Sequence, residues 1–427
     1  MTGISDAIVI GSGWAGLTCA LHLARAGRSV VLLEQHSTPG GLLGHWHLEG
    51  HTFVRACNEF ASGLQRDLAE LEIPVQFVTT RSLIVSGQQH LHLPPGLPEA
   101  WLALRSLSAP WKLPRVLRES PTVGALLDAC GAPPKLAELL GVLAYTAGVP
   151  MQYMRLEDLR DMATGNYRFG LHRLVKPVGG PQAILDALLQ RLADLGVQVH
   201  TNAQVTQVTR AGELAEVHSS QGIFHARQVA SSQPRWDLYP PSAPTGLAMG
   251  QLLLAVRPGF QFPQGIHTVY HLPPRIRAWM NQLDNGQLPE HFGFSVARHV
   301  NLPGDLETLN CFVLFPRGLD EPDPQTAAHI QAYVLQHAEK LVPGLLGAIA
   351  FQHLMPPAEF VQRFRLSSAP IPYLPPPGFQ IPDGFDPQTG IHHLGNSVRP
   401  IGGHAGAAAL SGKWAADNIL KLLPARA

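Results

Sequence analysis

The 427-residue sequence has little charge, few cysteines and no long apolar run. Basic and acidic residues number 31 each, so the net charge is zero and nothing indicates a nucleic-acid partner. The four cysteines are far apart and form no C-x-x-C pair, which argues against a zinc site and a disulfide framework. The longest apolar stretch, 136–150, contains Glu138 and is too short to cross a bilayer. No signal peptide precedes the first predicted strand, so we expect a cytoplasmic protein, with peripheral membrane contact left open.

The first forty residues hold the most informative pattern. Apolar residues at 7–10 predict a strand, G-S-G-W-A-G follows at 11–16, and apolar residues at helical spacing predict a helix over 17–26. A second apolar run at 29–33 predicts another strand, and Glu34 stands at its end. A strand, a glycine turn, a helix and a strand with a terminal acid are typical of a dinucleotide-binding site.

Each residue type in this pattern has a mechanical reason. Gly11 allows a tight turn, Gly13 lets a pyrophosphate approach the backbone, and Gly16 lets the helix pack closely on the sheet. The helix N-terminus offers free N–H groups and a partial positive charge to the phosphates. The carboxylate of Glu34 can accept hydrogen bonds from ribose hydroxyls and would repel a 2′-phosphate. NADP is therefore disfavoured, and NAD or the adenosine half of FAD remains.

Two further glycine pairs follow. Gly40 and Gly41 come soon after Glu34 and allow a second close approach of backbone to ligand. Gly179 and Gly180 precede an apolar stripe at helical spacing, and predicted strands come next.

The C-terminal part repeats the physics of the first turn. A strand is predicted at 390–394, a glycine-rich loop at 395–406 and a helix at 407–423. The loop and the helix N-terminus would again direct backbone N–H groups toward an anionic or electron-rich ligand.

The runs GSGWAGL and LLEQHSTPGG, the later block with Gly179 and Gly180, and the C-terminal loop resemble the flavoproteins related to phytoene desaturases and amine oxidases. The resemblance implies FAD as the cofactor and an α/β fold, in which a Rossmann-like FAD-binding domain is interleaved with an α+β substrate domain. The expected division is 1–85, 176–235 and 385–427 for the FAD-binding domain, 86–175 for a helical lid, and 236–384 for a sheet-containing substrate domain.

The resemblance also implies which residues contact FAD. The glycine doublet would lie near the flavin phosphates and ribityl chain, the backbone of Val205 would meet the adenine, and the last helix would begin at the pyrimidine edge. The residues expected to bind FAD are Gly11, Ser12, Gly13, Trp14, Ala15, Gly16, Glu34, Gln35, Gly40, Gly41, Leu42, Val205, Gly395, Asn396, Gly403, His404 and Ala405.

The sequence departs from the family pattern at two places. The residue after Gly395 is usually Asp and is Asn396 here, which can accept and also donate a hydrogen bond but carries no charge. The family usually continues with an acid, a glycine and a histidine after the aromatic residue that is Phe53 here, whereas this chain reads V-R-A-C-N-E at 54–59. We therefore expect a specialised activity.

Histidines are the candidate acid–base groups. His404 lies in the loop that the resemblance places beside the isoalloxazine, and its ordinary pKa near neutrality would suit a proton donor or acceptor, although a packing role is an equal alternative. His45, His47 and His51 would share one face of a β-hairpin with Glu49, which makes a metal site an alternative interpretation of this segment. We expect a flavin-side strand there and no metal.

Three functions compete. The favoured one is an FAD-dependent desaturase, saturase or isomerase that acts on an apolar, polyene-like, isoprenoid or lipid-like substrate by hydride transfer with flavin N5. The second is a flavin amine oxidase, in which a lysine of the second domain commonly holds a water at N5; residues 236–380 offer only Lys340 for this role. The third is a non-enzymatic escort that binds lipidated partners, and the intact nucleotide glycines argue against it.

A tryptophan-rich stretch within 86–175 allows two interpretations. Trp101 and Trp111 are interspersed with basic side chains, which are Arg105, Lys112, Arg115 and Arg118. The favoured interpretation is a helical lid with a solvated basic face. A membrane-interface segment is the alternative.

Overall fold

The structure is a computed structural model, and it describes residues 3–87, 89–93, 115, 118–131, 134–163, 169–170, 173–400 and 404–424. Gly403, Trp101, Arg105, Trp111 and Lys112 lie outside these ranges. Arg115 and Arg118 are exposed. Among the described helices, none is long and apolar enough to cross a membrane.

Twenty strands are assigned within the described ranges. In chain order they are β1 (Ser5–Ile10), β2 (Val30–Leu33), β3 (His45–Leu48), β4 (His51–Val54), β5 (Phe60–Ala61), β6 (Phe77–Thr79), β7 (Ser82–Ser86), β8 (Gln89–Leu93), β9 (Leu174–Pro177), β10 (Gln198–His200), β11 (Val205–Ala211), β12 (Leu214–Ser219), β13 (Gly222–Ser231), β14 (Met249–Val256), β15 (Thr268–Leu272), β16 (Phe294–Arg298), β17 (Glu307–Leu314), β18 (Ile349–Met355), β19 (Phe385–Asp386) and β20 (Ile391–His393).

Eleven α-helices are assigned within the same ranges. They are α1 (Trp14–Arg25), α2 (Ser62–Glu70), α3 (Val123–Cys130), α4 (Pro134–Ala147), α5 (Leu156–Ala163), α6 (Gly180–Asp194), α7 (Ile276–Asp284), α8 (Pro324–Leu341), α9 (Leu345–Ala348), α10 (Pro357–Phe364) and α11 (Ala405–Leu422).

The first sheet contains the predicted nucleotide fold. Strands β10, β2, β1, β13 and β20 lie side by side in parallel, while β12, β11 and β19 pair antiparallel at its margins. The central strand β1 is apolar along its length because a parallel sheet is covered on both faces. Helices α1, α6 and α11 pack on one face through a shared apolar core. The α/β fold class is thereby confirmed.

Close packing of α1 on α11 depends on glycine. A Cβ on Gly412 would overlap the carbonyl oxygen of Ala15, so the last helix approaches the first one at backbone distance. Ala15 is the second residue of α1, so this contact holds α11 beside the start of α1 and the glycine turn.

The second sheet has seven strands in the order β18-β14-β17-β16-β15-β7-β8. One face is apolar and packs on α8 through Leu252, Val296, Cys311 and Ile330. The opposite face carries several buried polar residues. Ser82, Thr268 and Asn310 lie in one row across the strands, and Gln251 lies two residues along β14 from that row. Because successive side chains of a strand point to opposite faces, the same strands contribute to an apolar core on one face and to a buried polar surface on the other. We call this polar surface the polar junction.

The division into domains remains a prediction, and one boundary falls inside a strand. Residue 85 is the expected end of the first FAD-binding segment, but Ser82–Ser86 pairs with β15 in the second sheet. We propose residue 81 as the boundary, because β7 and β8 together extend the second sheet by one hairpin.

Candidate functional site

The first glycine turn is fixed by sterics. Gly11 has a φ of 89°, which side chains rarely adopt, and a Cβ there would overlap the hydroxyl of Ser232. A Cβ on Gly16 would overlap the carbonyl oxygen of Gly11. By contrast, a Cβ on Gly13 would meet no atom of the described residues within 4 Å. The turn therefore presents an open backbone surface at Gly13, directly at the N-terminus of α1.

Glu34 is engaged with that turn. Its Oε2 accepts hydrogen bonds from the backbone N–H of Ser12 at 2.8 Å and from the Ser12 hydroxyl at 2.5 Å, and its Oε1 accepts from the N–H of His36 at 2.9 Å. A carboxylate offers about four lone-pair sites, so Oε1 can still accept a ribose hydroxyl. The side chain thus shapes the turn in addition to its expected role.

The glycine doublet lies against the first turn. The N–H of Gly40 donates to the carbonyl of Ser12 at 3.0 Å, and a Cβ on Gly41 would come within 3.2 Å of the Cα of Gly13. The next residue, Leu42, is 39% exposed. The two turns together form a cradle at the start of α1, where a helix leaves N–H groups for an anion such as a diphosphate.

Backbone contacts around Glu34 shape the expected adenine end of the site. The N–H of Ala203 donates to the carbonyl of Glu34 at 2.7 Å, which brings Val205 next to the end of β2. Val205 is buried in the apolar cluster on this face of the first sheet, whereas Gln35 is exposed. Contact of Val205 and Gln35 with the cofactor stays a prediction.

The C-terminal loop approaches the same edge of the sheet. Gly395 has a φ of 99°, its N–H donates to the hydroxyl of Ser411 at 2.9 Å, and the region where its Cβ would lie is open among the described residues. Asn396 is exposed, so its amide is free to face a ligand or solvent. Ala405 begins α11, two residues before the predicted start at 407, and its contact with the flavin stays a prediction.

His404 caps the last helix. Its Nδ1 accepts the N–H of Ala407 at 3.3 Å, so the proton of the neutral ring is on Nε2. Nε2 is buried, and it has no hydrogen-bond partner among the described residues. The ring stands edge-on to Phe169, with 4.5 Å between the ring centroids. His404 therefore holds an unused N–H donor in a desolvated place.

The expected ordinary pKa of His404 is wrong. Burial lowers this pKa to about 4, because the charged imidazolium is disfavoured away from water and no charged neighbour offsets the effect. At neutral pH the ring is an uncharged hydrogen-bond donor. A catalytic part for His404 remains a prediction, but not as an imidazolium acid.

The three clustered histidines do not share a face. Glu49 and Gly50 form the turn between β3 and β4, so His47 pairs with Thr52, and His51 lies on the other strand opposite Leu48. His45 is buried, and desolvation lowers its pKa to about 4. No group of three or more metal-binding side chains is found within the described residues.

Three functional candidates were not predicted from the sequence, and all are charged residues in or near the atypical segment. Arg55 contacts the loop of the glycine doublet. Lys176 is 1% exposed and donates to the carbonyl of Arg298 at 2.7 Å, with Glu59 at 4.0 Å. Burial lowers the pKa of Lys176 to about 8, and Glu59 opposes this shift. Only the departure at 54–59 could have signalled them.

These residues fit FAD. The open surface over Gly13 suits the diphosphate, Glu34 retains capacity for a ribose hydroxyl, and His404 offers a donor without a partner among the described residues at the far end. Because the donors come from the carboxyl edge of a parallel sheet and from helix N-termini, the site defines a dinucleotide-dependent flavoprotein.

The chain belongs to the family of FAD-dependent oxidoreductases, which matches residues 6–358. It is an enzyme of that class, and FAD is its cofactor.

Two individual proteins are similar to this chain in sequence. A probable electron transfer flavoprotein-quinone oxidoreductase, YgcN of Escherichia coli (strain K12), is 34% identical over 132 residues, which are 29% of this chain and 29% of that protein. The chain thus matches less than a third of the length of this relative. The chloroplastic prolycopene isomerase of Arabidopsis thaliana is 23% identical over 97% of this chain and 82% of that protein.

A solved structure shows the same fold. A mutant of putrescine oxidase, redesigned in its cofactor binding, superposes with a TM-score of 0.68 at 17% sequence identity, covering 99% of this chain and 100% of that chain. At this identity the likeness concerns the fold alone.

Proposed function

We propose that the enzyme is a desaturase, saturase or isomerase of an apolar polyene, isoprenoid or lipid-like substrate. The observation that carries the proposal is the environment of His404. Desolvation alone lowers the pKa of this ring, and no charged group of the described residues contributes. A site of this kind suits an uncharged substrate, because a cation brought there would lose its hydration without a partner.

The likeness to prolycopene isomerase across nearly the whole chain supports the same substrate class. FAD, when bound, supplies hydride exchange at flavin N5. The protein would exclude water. It would hold the isoalloxazine ring of FAD through backbone N–H groups at the start of α11 and through the Nε2–H of His404.

For the amine-oxidase alternative, residues 236–380 offer only Lys340. Lys340 is exposed near the end of α8, which packs on the face of the second sheet opposite the polar junction. Its ammonium is therefore separated from the glycine cradle by the sheet. The putrescine oxidase likeness does not offset this, since it concerns the fold alone.

An anaerobic substrate test distinguishes the two classes. Purified protein with bound FAD is mixed with prolycopene or phytoene, flavin absorbance is followed, and products are separated by chromatography and mass spectrometry. We expect a polyene that differs from the starting compound in double-bond number or geometry. Peroxide release from putrescine or other amines in a parallel assay with oxygen present, with every polyene returned unchanged, would instead establish an amine oxidase.

A further inference from the structure

The side chain of Arg55 spans the loop that carries the glycine doublet. Its Nη1 donates to the carbonyl of Gly41 at 2.9 Å, its Nε to the carbonyl of His45 at 3.2 Å, and its Nη2 to the hydroxyl of Thr38 at 3.0 Å. One rigid guanidinium thus joins three points of a short segment. The loop cannot move relative to Arg55 without breaking these bonds.

The contact with Gly41 places this guanidinium at the cofactor cradle. Gly41 lies directly on Gly13, the open point of the first turn. A guanidinium has five N–H groups, and three of them make the bonds above, so two remain for a ligand beyond the described residues. Burial lowers the pKa of Arg55, but an arginine stays charged at any physiological pH. A positive charge with two spare donors therefore lies beside Gly41, next to the expected position of the diphosphate.

The backbone of Arg55 is held by the second sheet. Gln251 donates to the carbonyl of Arg55 at 2.6 Å, and Asn310 donates to the carbonyl of Val54 at 3.0 Å and to the side-chain oxygen of Gln251 at 2.8 Å. Both amide side chains are nearly inaccessible to solvent, with exposures of 2% and 0%. Since buried amides seldom forgo their bonds, this link has one preferred geometry.

We propose that Arg55 is a positioning residue that connects the second sheet to the diphosphate cradle and offers its spare N–H groups to the diphosphate. The order of contacts is Gln251 and Asn310 to the backbone of residues 54 and 55, then the guanidinium to Gly41, then Gly41 to Gly13. The affinity for FAD should consequently depend on Gln251, although the bond of this side chain is to the backbone of Arg55 and not to the cofactor. The inference rests on the FAD site and is independent of the proposed substrate.

The first test measures dissociation constants of apoprotein for FAD, ADP and adenosine by calorimetry. Arg55→Met should weaken FAD and ADP about 100-fold, and Arg55→Lys, which keeps the charge but loses the fork, about tenfold. Adenosine, which has no diphosphate, should change by less than about threefold. Arg257→Met is the matched control, because Arg257 is an exposed arginine that also donates to a backbone carbonyl. Unchanged FAD affinity in Arg55→Met, or equal losses for adenosine and ADP, would overturn the proposal.

The second test asks whether the sheet acts through Arg55. Gln251→Met should weaken FAD about fivefold in the wild-type background and have almost no effect in the Arg55→Met background. Circular dichroism and thermal unfolding establish that the variants fold. Asn310→Ala gives the same cycle if Gln251→Met does not fold. Effects that add fully in the double variant would show that the second sheet is not coupled to the cradle through Arg55.

Discussion

At the expected diphosphate end of the site, the backbone sets the shape, while at the expected flavin end and at the polar junction, side chains that are distant in sequence do so. Gly11, Gly13 and Gly16 form the first turn within six residues, and Ser12 and Glu34 close it across one crossover. His404 instead depends on Phe169, which is more than two hundred residues away in the chain. The glycine turn is specified by sterics, because a side chain at Gly11 or Gly16 would overlap other atoms. The environment of His404 is specified by burial, which arises only in the complete fold.

The largest expected effect comes from filling the space at Gly16. In Gly16→Ala the new Cβ would overlap the carbonyl oxygen of Gly11, and backbone atoms cannot move aside as a flexible side chain could. We expect the dissociation constant of FAD to rise at least about 100-fold, equivalent to ~2.7 kcal/mol, measured by calorimetry on apoprotein.

The control is Gly347→Ala, because Gly347 also lies in a helix and its Cβ would meet no described atom within 4 Å. That variant should bind FAD like the wild type. If Gly16→Ala also binds FAD normally, the steric account of the diphosphate end is wrong.

The corresponding test at the flavin end is His404→Ala. Loss of the Nε2–H donor should make the midpoint potential of bound FAD more negative by about 30 mV, or ~1.4 kcal/mol, because the reduced ring loses one stabilising hydrogen bond. Potentiometric titration measures this, and the affinity for FAD should change little.

His404→Asn separates the donor from the helix cap. Asn is a good N-cap and can replace the acceptor for the N–H of Ala407, while its shorter side chain does not reach the position of Nε2. Its potential should shift like that of His404→Ala, with better thermal stability. An unshifted potential in both variants would mean that His404 is a capping residue alone.

The same contrast explains what could be predicted from the sequence. The turn from β1 through α1 to β2 is local, so glycine spacing and apolar runs predict it, and the predicted helix at 407–423 corresponds to α11. The central strand β13 (Gly222–Ser231) was missed, because its first half mixes polar and apolar residues and its partners β1 and β20 are remote in sequence. Pairing with distant strands overrides local preference there.

Charged residues at the junction were beyond prediction for a different reason. Lys176, Glu59 and Arg55 have the residue types of a protein surface. Only packing against the second sheet buries Lys176 and partly buries Glu59 and Arg55. The shift of His404 away from its ordinary pKa has the same origin, since desolvation is a property of the assembled structure.

Lys176 gives the smallest effect and tests whether the junction is as desolvated as the structure indicates. Its folded pKa of about 8 lies below the unfolded value near 10.5, so above pH 8 the unfolded chain binds more protons than the folded one, and the free energy of unfolding rises with pH. Between pH 8 and pH 9 this contribution should stabilise the folded state by about 1 kcal/mol. It should disappear in Lys176→Met, where urea unfolding at several pH values supplies the measurement. The exposed Lys340→Met serves as the matched control and should keep the wild-type slope. If wild type and Lys176→Met change in parallel from pH 8 to pH 10, the ammonium of Lys176 is not desolvated and the junction is accessible to water.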